Sequence, residues 1–326
     1  MGSLENELAE VKCLCENVVQ GSKLVSCVSS MVRVEIKRTQ FKKIIVCLYF
    51  PREYPNSPIL VELKSKTLSA HLLEKLTRSC EKEAEKYLHQ PQILIVLKFL
   101  RKYIDETPLA CCYDEINELK LKLDQNQDEM KLRQKTSSII FKVKRDRYFL
   151  ECRIEIPDDY PLKKIEFEEV KTNFSAALNT HIIAQAKEIA RKCVEPPLKK
   201  NKNEAPFQPT PSLKKTIEFL INCVKNFPQE KCQICDKLCL PENPALLELD
   251  EKSPNHIERV YCGHLLHSQC LLDFMKKPPF GNKKCKICGH KLCHFKWTLT
   301  DKLAENRWAH EQARERELAE VTDFFN

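Results

Sequence analysis

Residues 50–58 read Phe50-Pro51-Arg52-Glu53-Tyr54-Pro55-Asn56-Ser57-Pro58 and directly follow an apolar run that is typical of a buried strand. Proline fixes φ and lacks a backbone N–H, so the chain leaves the sheet here in an extended turn. A tyrosine in such a turn can fold back on the sheet while its hydroxyl bonds to loop backbone. The stretch therefore predicts the end of a sheet and a connection to a helix.

This turn occurs twice. Pro157-Asp158-Asp159-Tyr160-Pro161 repeats its prolines and tyrosine at a constant spacing of 106 residues. The same spacing relates further identical residues, namely Ile59 and Ile165, Glu62 and Glu168, Ser69 and Ser175, Ala70 and Ala176, Ala84 and Ala190, and Lys86 and Lys192. Weak identity at one constant spacing predicts an internal duplication.

Predicted elements occur in the same order around each turn. Apolar and polar residues alternate strictly at 32–37, which is the mark of a half-buried strand. In the first copy we predict a helix at 4–19 with Val18 on its apolar stripe, strands at 32–37, 41–50 and 59–63, and helices at 68–88 and 93–104. In the second copy we predict a helix at 114–134, strands at 139–143, 148–156 and 165–170, and helices at 175–194 and 212–227.

A helix, several strands, a Tyr-Pro turn and two helices resemble the RWD domain, a relative of the ubiquitin-conjugating fold. The resemblance covers residues 1–106 and 107–228, and the second copy has Lys164 where the first has Pro58. Neither copy contains the His-Pro-Asn sequence that precedes the reactive cysteine of conjugating enzymes. The resemblance therefore implies two binding modules, not carriers of a ubiquitin thioester.

Cysteine and histidine residues cluster near the C-terminus at metal-ligand spacings: Cys232, Cys235, Cys262, His264, His267, Cys270, Cys285 and Cys288. Thiolate and imidazole groups in sets of four suit tetrahedral Zn²⁺. These eight ligands fill two sites either in sequence or interleaved. Since every position is a protein group, we expect two structural Zn²⁺ ions whose binding contributes folding energy.

The ligand order resembles the RING finger of the RING-H2 subtype, which is interleaved. The resemblance implies one zinc on Cys232, Cys235, His267 and Cys270, and the other on Cys262, His264, Cys285 and Cys288. Five further residues lie nearby at spacings that fit no convincing pairing, and we interpret them as bystanders: Cys239, His256, His290, Cys293 and His294.

RING domains bind a ubiquitin-conjugating enzyme through a shallow apolar groove. By position, the resemblance implies that Ile234, Phe274, Lys286 and Ile287 line this groove, with Lys286 in place of the usual proline. The position after the eighth ligand often carries an arginine or lysine that holds the ubiquitin thioester closed, and here it is Gly289.

The resemblance implies a RING-type E3 ubiquitin ligase that promotes direct transfer of ubiquitin from a charged conjugating enzyme to a substrate lysine. Such transfer needs no covalent intermediate on the ligase, and the RWD-like domains recruit substrate or conjugating enzyme. The alternative is a non-catalytic zinc-containing adaptor. Nucleic-acid binding is disfavoured, because the net charge of +8 is dispersed and forms no basic stripe interleaved with aromatics.

The sequence thus predicts an α+β chain with two tandem RWD-like domains at 1–106 and 107–228, a RING at 229–297 and a terminal helix at 298–326. A proline-rich loop is expected at 196–211. No apolar run approaches the roughly 18 residues that span a bilayer, so we expect no membrane partner and a cytoplasmic or nuclear protein. Cysteines at apolar positions, such as Cys27, Cys47, Cys152 and Cys223, are expected to be reduced core residues.

Overall fold

The computed structural model describes residues 2–39, 41–197, 207–292 and 301–325. Most of the predicted proline-rich loop, Cys293, His294 and the start of the predicted terminal helix lie outside these ranges. The chain divides into two compact units, one made of residues 1–142, 151–171 and 184–219, the other of 143–150, 172–183 and 220–326. No helix of the described residues is long and apolar enough to cross a membrane.

The N-terminal part is an antiparallel sheet with helices before and after it. Its elements are α1 (Gly2–Val18), β1 (Ser22–Val28), β2 (Met31–Lys37), β3 (Lys43–Tyr49), β4 (Leu60–Lys64), α2 (Ala70–Ala84) and α3 (Ile93–Glu106). The strand order is β1-β2-β3-β4. Alternate residues of β2, Val32, Val34 and Ile36, are fully buried in one core that also receives the helices, as the period-2 pattern predicts.

Two details of this part differ from the sequence expectation. Strand β1 was not predicted, because a bulge between Leu24 and Ser26 breaks its alternation and Val25 faces solvent. The apolar stripe of α1 ends on Val19, which is 1% exposed, whereas the predicted Val18 is 40% exposed. Val19 lies four residues after buried Cys15, so it continues the same helical face.

A second run of elements repeats this order. It comprises α4 (Tyr113–Lys122), β5 (Glu129–Arg133), β6 (Ser138–Arg145), β7 (Tyr148–Glu155), β8 (Glu166–Thr172), α5 (Ala176–Val194) and α6 (Leu213–Asn226). The strand order is β5-β6-β7-β8, the same sequential order as in the first sheet.

The predicted helix at 114–134 is wrong beyond Lys122. The Asp124 carboxylate accepts the Asn126 N–H at 3.0 Å, and Asp128 Oδ2 accepts the Asp124 N–H at 3.0 Å. These side-chain bonds form a tight turn that competes with helical bonding. The chain then continues as edge strand β5.

Each sheet is connected to a following helix through its Tyr-Pro turn. Tyr54 Oη accepts the Gln92 N–H at 3.1 Å, just before α3. Tyr160 Oη accepts the N–H groups of Ser212 and Leu213 at 2.9 and 3.1 Å, at the start of α6. Both tyrosines precede a cis proline. The tyrosine hydroxyl therefore satisfies free backbone donors of a helix N-terminus in both copies.

The C-terminal part has short elements. They are β9 (Ile257–Arg259), β10 (Leu265–His267), α7 (Ser268–Lys276) and α8 (Asp301–Phe325). Strands β9 and β10 form an antiparallel hairpin in which Leu265 pairs with Arg259. The described part of the predicted terminal helix is helical throughout.

Candidate metal centre

The first Cys-x2-Cys segment is a tight backbone loop. The Asp236 N–H donates to Cys232 O, and the Cys232 N–H donates to Lys237 O, both at 2.8 Å. Lys231 and Leu238 form an antiparallel bridge that closes the loop. Asp236 has a φ of +59°, the left-handed conformation that such a turn needs. We call residues 231–238 the first knuckle.

The last Cys-x2-Cys segment makes the same bonds 53 residues later. The Gly289 N–H donates to Cys285 O, and the Cys285 N–H donates to His290 O, both at 2.8 Å. Lys284 and Lys291 form the closing bridge. Gly289 takes the left-handed position with a φ of +73°. We call residues 284–291 the second knuckle.

The β9–β10 hairpin and α7 supply the remaining donors. Cys262 and His264 flank Gly263, whose φ of +100° turns the chain between the strands. His267 ends β10, and Cys270 lies in the first turn of α7. The hairpin thus presents His264 and His267 from its two ends.

Glu230 fastens the first knuckle to β10. Its Oε1 accepts the Leu265 N–H at 2.8 Å, and its backbone oxygen accepts the Cys239 N–H at 2.9 Å. Burial raises the pKa of Glu230, and the bond from Leu265 partly opposes that rise. This contact brings the end of β10 towards the first knuckle.

Two clusters result, and each has three cysteines and one histidine. Within each cluster the donor atoms all lie within 4.8 Å of one another. One cluster contains Cys232, Cys235, His267 and Cys270, and the other contains Cys262, His264, Cys285 and Cys288. The structure therefore brings together all eight residues, in the interleaved sets rather than in sequence.

The distances within the clusters suit a small tetrahedral ion. His267 Nδ1 lies 3.3 Å from Cys235 Sγ and 3.9 Å from Cys270 Sγ. His264 Nδ1 lies 3.6 Å from Cys262 Sγ and 3.5 Å from Cys285 Sγ. Metal–ligand bonds of about 2.0–2.3 Å at tetrahedral angles give donor separations of about 3.5 Å. Either cluster could therefore hold a metal ion.

The orientation of the His267 ring also suits metal binding. Its Nε2 lies 3.2 Å from Leu238 O in the first knuckle. An N–H on Nε2 that donates to this oxygen leaves Nδ1 unprotonated and directed at the cysteines. The ring is thus held in the tautomer that a metal requires.

One residue interpreted as a bystander is closer to the site than spacing suggested. Cys239 is buried, and its thiol contacts the sulfur of Cys232 and lies 3.4 Å from Leu265 O. His256 is also buried and points Nδ1 at Glu248 O at 3.3 Å. No sequence signal distinguished Cys239, because the equivalent position of the second knuckle is Leu292.

The sequence-predicted groove residues lie on both knuckles and on α7. Ile234 and Ile287 occupy equivalent positions, and Ile287 is 51% exposed. The Lys286 N–H donates to Gln233 Oε1, which joins the tips of the two knuckles. The two knuckle tips, each with an isoleucine that is at least partly exposed, are therefore joined.

Phe274 belongs to an aromatic group that sequence reasoning did not find. Lys283 Nζ lies 4.5 Å from the centroid of the Phe274 ring and 5.9 Å from that of Phe280. Lys283 is only 9% exposed, and it donates to Lys277 O at 2.6 Å. The Phe280 ring lies 5.9 Å from Trp308 of α8. A cation–π contact at these distances stabilises the position of the Phe274 ring.

The fold and site define a mixed α/β chain with an N-terminal sheet domain and two potential metal clusters near the C-terminus. The N-terminal domain has a recognised family, since the model of the RWD domain matches residues 4–104. An RWD domain indicates a module that binds ubiquitin-conjugating enzymes. No curated protein matches the chain.

Proposed function

We propose that this protein is a RING-type E3 ubiquitin ligase that carries two structural Zn²⁺ ions. The observation that carries the proposal is the interleaving of the two Cys/His clusters across a pair of equivalent knuckles. In this arrangement the metals would fasten the knuckles to the hairpin and α7, and would be fully ligated by protein. Their binding would supply folding energy and leave no open position for chemistry.

The second sheet is proposed to be a second RWD-like domain. Its strand order and its flanking helices repeat those of the first. Tyr160 repeats the contacts of Tyr54, because each hydroxyl bonds to a glutamate and to the N-terminus of a later helix. Tandem RWD-like domains would recruit a substrate or the conjugating enzyme.

The proposed mechanism needs no nucleophile on this chain. The surface formed by Ile234, Phe274 and Ile287 would bind apolar loops of a charged conjugating enzyme. Lys286 directly precedes Ile287, and its backbone N–H bond to Gln233 Oε1 keeps the two knuckle tips together. Holding enzyme and thioester in a reactive pose accelerates attack by the substrate lysine through proximity and orientation.

The deciding experiment is discharge of ubiquitin from a panel of charged conjugating enzymes onto free lysine. The zinc-loaded wild type is compared with Ile234→Ala and with Leu246→Ala, an exposed apolar residue outside both knuckles. We expect acceleration by wild type and by Leu246→Ala, and loss with Ile234→Ala while zinc content is unchanged. Absence of acceleration across a broad panel contradicts the proposal.

A non-catalytic adaptor is the second candidate, and one observation favours it. Gly289 has no side chain to hold the thioester closed, and no atom of the described residues lies within 4 Å of a Cβ added there. An adaptor would bind a conjugating enzyme through the same surface without accelerating discharge. Binding measured beside discharge therefore separates the two functions.

A further inference from the structure

The two knuckles have the same backbone but different charge. The first carries Lys231 and Lys237 together with Asp236, whose Oδ2 lies 4.0 Å from Lys231 Nζ. The second carries lysine at 284, 286 and 291, and its equivalent of Asp236 is the uncharged Gly289. Only the first knuckle therefore contains an acidic group that offsets its lysines.

The second knuckle also places two of its lysines side by side. Lys284 and Lys291 face each other across the closing bridge, and both are exposed. Like charges directly opposite each other on paired strands are destabilising. Within the described residues, no carboxylate lies within ion-pair distance of Lys284, Lys286 or Lys291. The fold thus holds, at this position, three exposed lysines without a carboxylate partner among the described residues.

Neither the metal sites nor α7 explains the positive charge of the second knuckle. Both clusters have three cysteines and one histidine, so a divalent ion would give them the same net charge. The charge of the metal sites therefore cannot account for a difference between the knuckles. Lys276 and Lys277, by contrast, lie at the C-terminal end of α7, where a cation stabilises the helix dipole. The inference rests only on the three lysines of the second knuckle.

These lysines adjoin the apolar surface. Lys286 immediately precedes Ile287, which is half exposed. From residue 274 to residue 292 the chain contains no acidic residue, so no nearby position in the sequence offsets the charge of these three lysines. An apolar patch with a charged rim is typical of a protein interface, in which the rim charges select the partner and set the association rate.

We propose that the second knuckle selects conjugating enzymes whose apolar contact loops are flanked by aspartate or glutamate. The proposal rests on the proposed function, because it takes the partner to be a conjugating enzyme. Lys284, Lys286 and Lys291 pair with these acids at the rim while Ile287 contacts the loop. A protein partner is favoured over a nucleic acid because an exposed isoleucine offers no stacking surface for bases.

The test measures affinity of the full-length, zinc-loaded protein for conjugating enzymes with acidic or basic contact loops at 50 and 300 mM NaCl. Wild type is compared with Lys284→Glu/Lys291→Glu and with Lys252→Glu, an exposed lysine outside the knuckles. We expect acidic-loop enzymes to bind more tightly, and their affinity to fall with salt. We expect the double substitution to weaken them at least tenfold, whereas Lys252→Glu leaves affinity unchanged.

A charge swap completes the test. An enzyme whose loop acids are replaced by lysine should bind Lys284→Glu/Lys291→Glu better than wild type. Equal binding of acidic-loop and basic-loop enzymes overturns the inference but leaves the ligase proposal standing. Failure of the protein to accelerate discharge from any enzyme overturns the ligase proposal itself, and failure of every enzyme to bind overturns the inference as well. Tight binding of an oligonucleotide at 150 mM salt, lost in the double variant while no enzyme binds, assigns the lysines to nucleic acid and overturns the inference.

Discussion

The Tyr54 hydroxyl donates a hydrogen bond of 2.6 Å to Oε2 of Glu7, which lies on the first helix 47 residues earlier. The other carboxylate oxygen of Glu7 accepts the Ile93 N–H at 2.8 Å. One side-chain pair thus joins α1, the Tyr-Pro turn and the N-terminus of α3. Glu115 repeats this role in the second copy, with bonds of 2.5 Å from Tyr160 and 2.9 Å from the Lys214 N–H.

Tyr54→Phe should destabilise the N-terminal domain by about 1–3 kcal/mol, because it removes a hydrogen bond to a charged group and leaves buried partners unpaired. Glu7 is 4% exposed, and its carboxylate then loses its only hydroxyl donor among the described residues. Urea unfolding at pH 7 measures the change. Tyr49→Phe is the matched control, since its hydroxyl bonds Glu62, whose side chain is 44% exposed. A comparable loss there would contradict the expectation.

The Glu7 carboxyl predicts a specific dependence of stability on pH. Burial raises its pKa above 4.5, although the bonds from Tyr54 and Ile93 partly oppose the rise. A raised pKa in the folded state gives a stabilising contribution that is complete below pH 4.5 and is lost as pH rises through the folded pKa. Wild type should therefore lose stability relative to Glu7→Gln between pH 4.5 and neutrality. A stability difference between wild type and Glu7→Gln that is constant with pH would refute this prediction.

The Lys42–Asp158 ion pair should make folding stability change with pH in the opposite direction. Lys42 Nζ lies 2.8 Å from Asp158 Oδ1, and the Lys42 side chain is only 3% exposed. The ammonium holds the pKa of Asp158 below 3.8. The stabilising contribution is therefore present above pH 3.8 and is lost as pH falls through the folded pKa. The stability difference between wild type and Asp158→Asn should shrink on acidification, as measured by urea midpoints from pH 7 down to pH 3.

Metal removal should unfold the C-terminal module. The wild type is expected to bind two Zn²⁺ per chain by elemental analysis, and Co²⁺ substitution should give the absorption of tetrahedral thiolate sites. A chelator should abolish near-UV signals of residues 230–292 and leave urea unfolding of the RWD domain unchanged.

Cys80→Ser is the control for zinc content, because Cys80 is buried in the N-terminal core and belongs to neither cluster. Cys235→Ser should lower the zinc content, since it removes one donor of the first cluster. A zinc content of two in Cys235→Ser would mean that this residue is not a ligand.

Gly289→Arg should increase ubiquitin discharge if the protein is a ligase. Within the part of the chain that the structure describes, no atom lies within 4 Å of the added Cβ, and Asp236 carries a side chain at the equivalent left-handed position. The cost in stability is about 1–2 kcal/mol for a non-glycine residue at positive φ. Gly289→Ala has the same backbone cost without the guanidinium, so it should not increase discharge. Equal effects of both substitutions would exclude a role for the charge.

Sequence patterns predicted most elements of the two sheets because their strands alternate cleanly, as in 32–37. The elements that the sequence predicted wrongly or missed have local causes. Residues 129–133 carry helix-forming side chains, but the aspartate turn before them and pairing with β6 make them a strand. Strand β1 was not predicted because its bulge disturbs the alternation of apolar and polar residues.

The sequence by itself determined the eight Cys/His residues and the duplicated Tyr-Pro turn, because both are patterns of spacing along the chain. Only the tertiary structure decided which side chains meet across long separations. Glu7 contacts Tyr54, and Lys42 contacts Asp158 across 116 residues. No periodicity in the sequence predicts either pair. The two knuckles make the same backbone bonds and closing bridge. This equivalence is what allows their charges to be compared position by position. Short-range spacing identifies candidate ligands and turns, whereas the packing of whole elements decides which charges are buried, paired or left exposed.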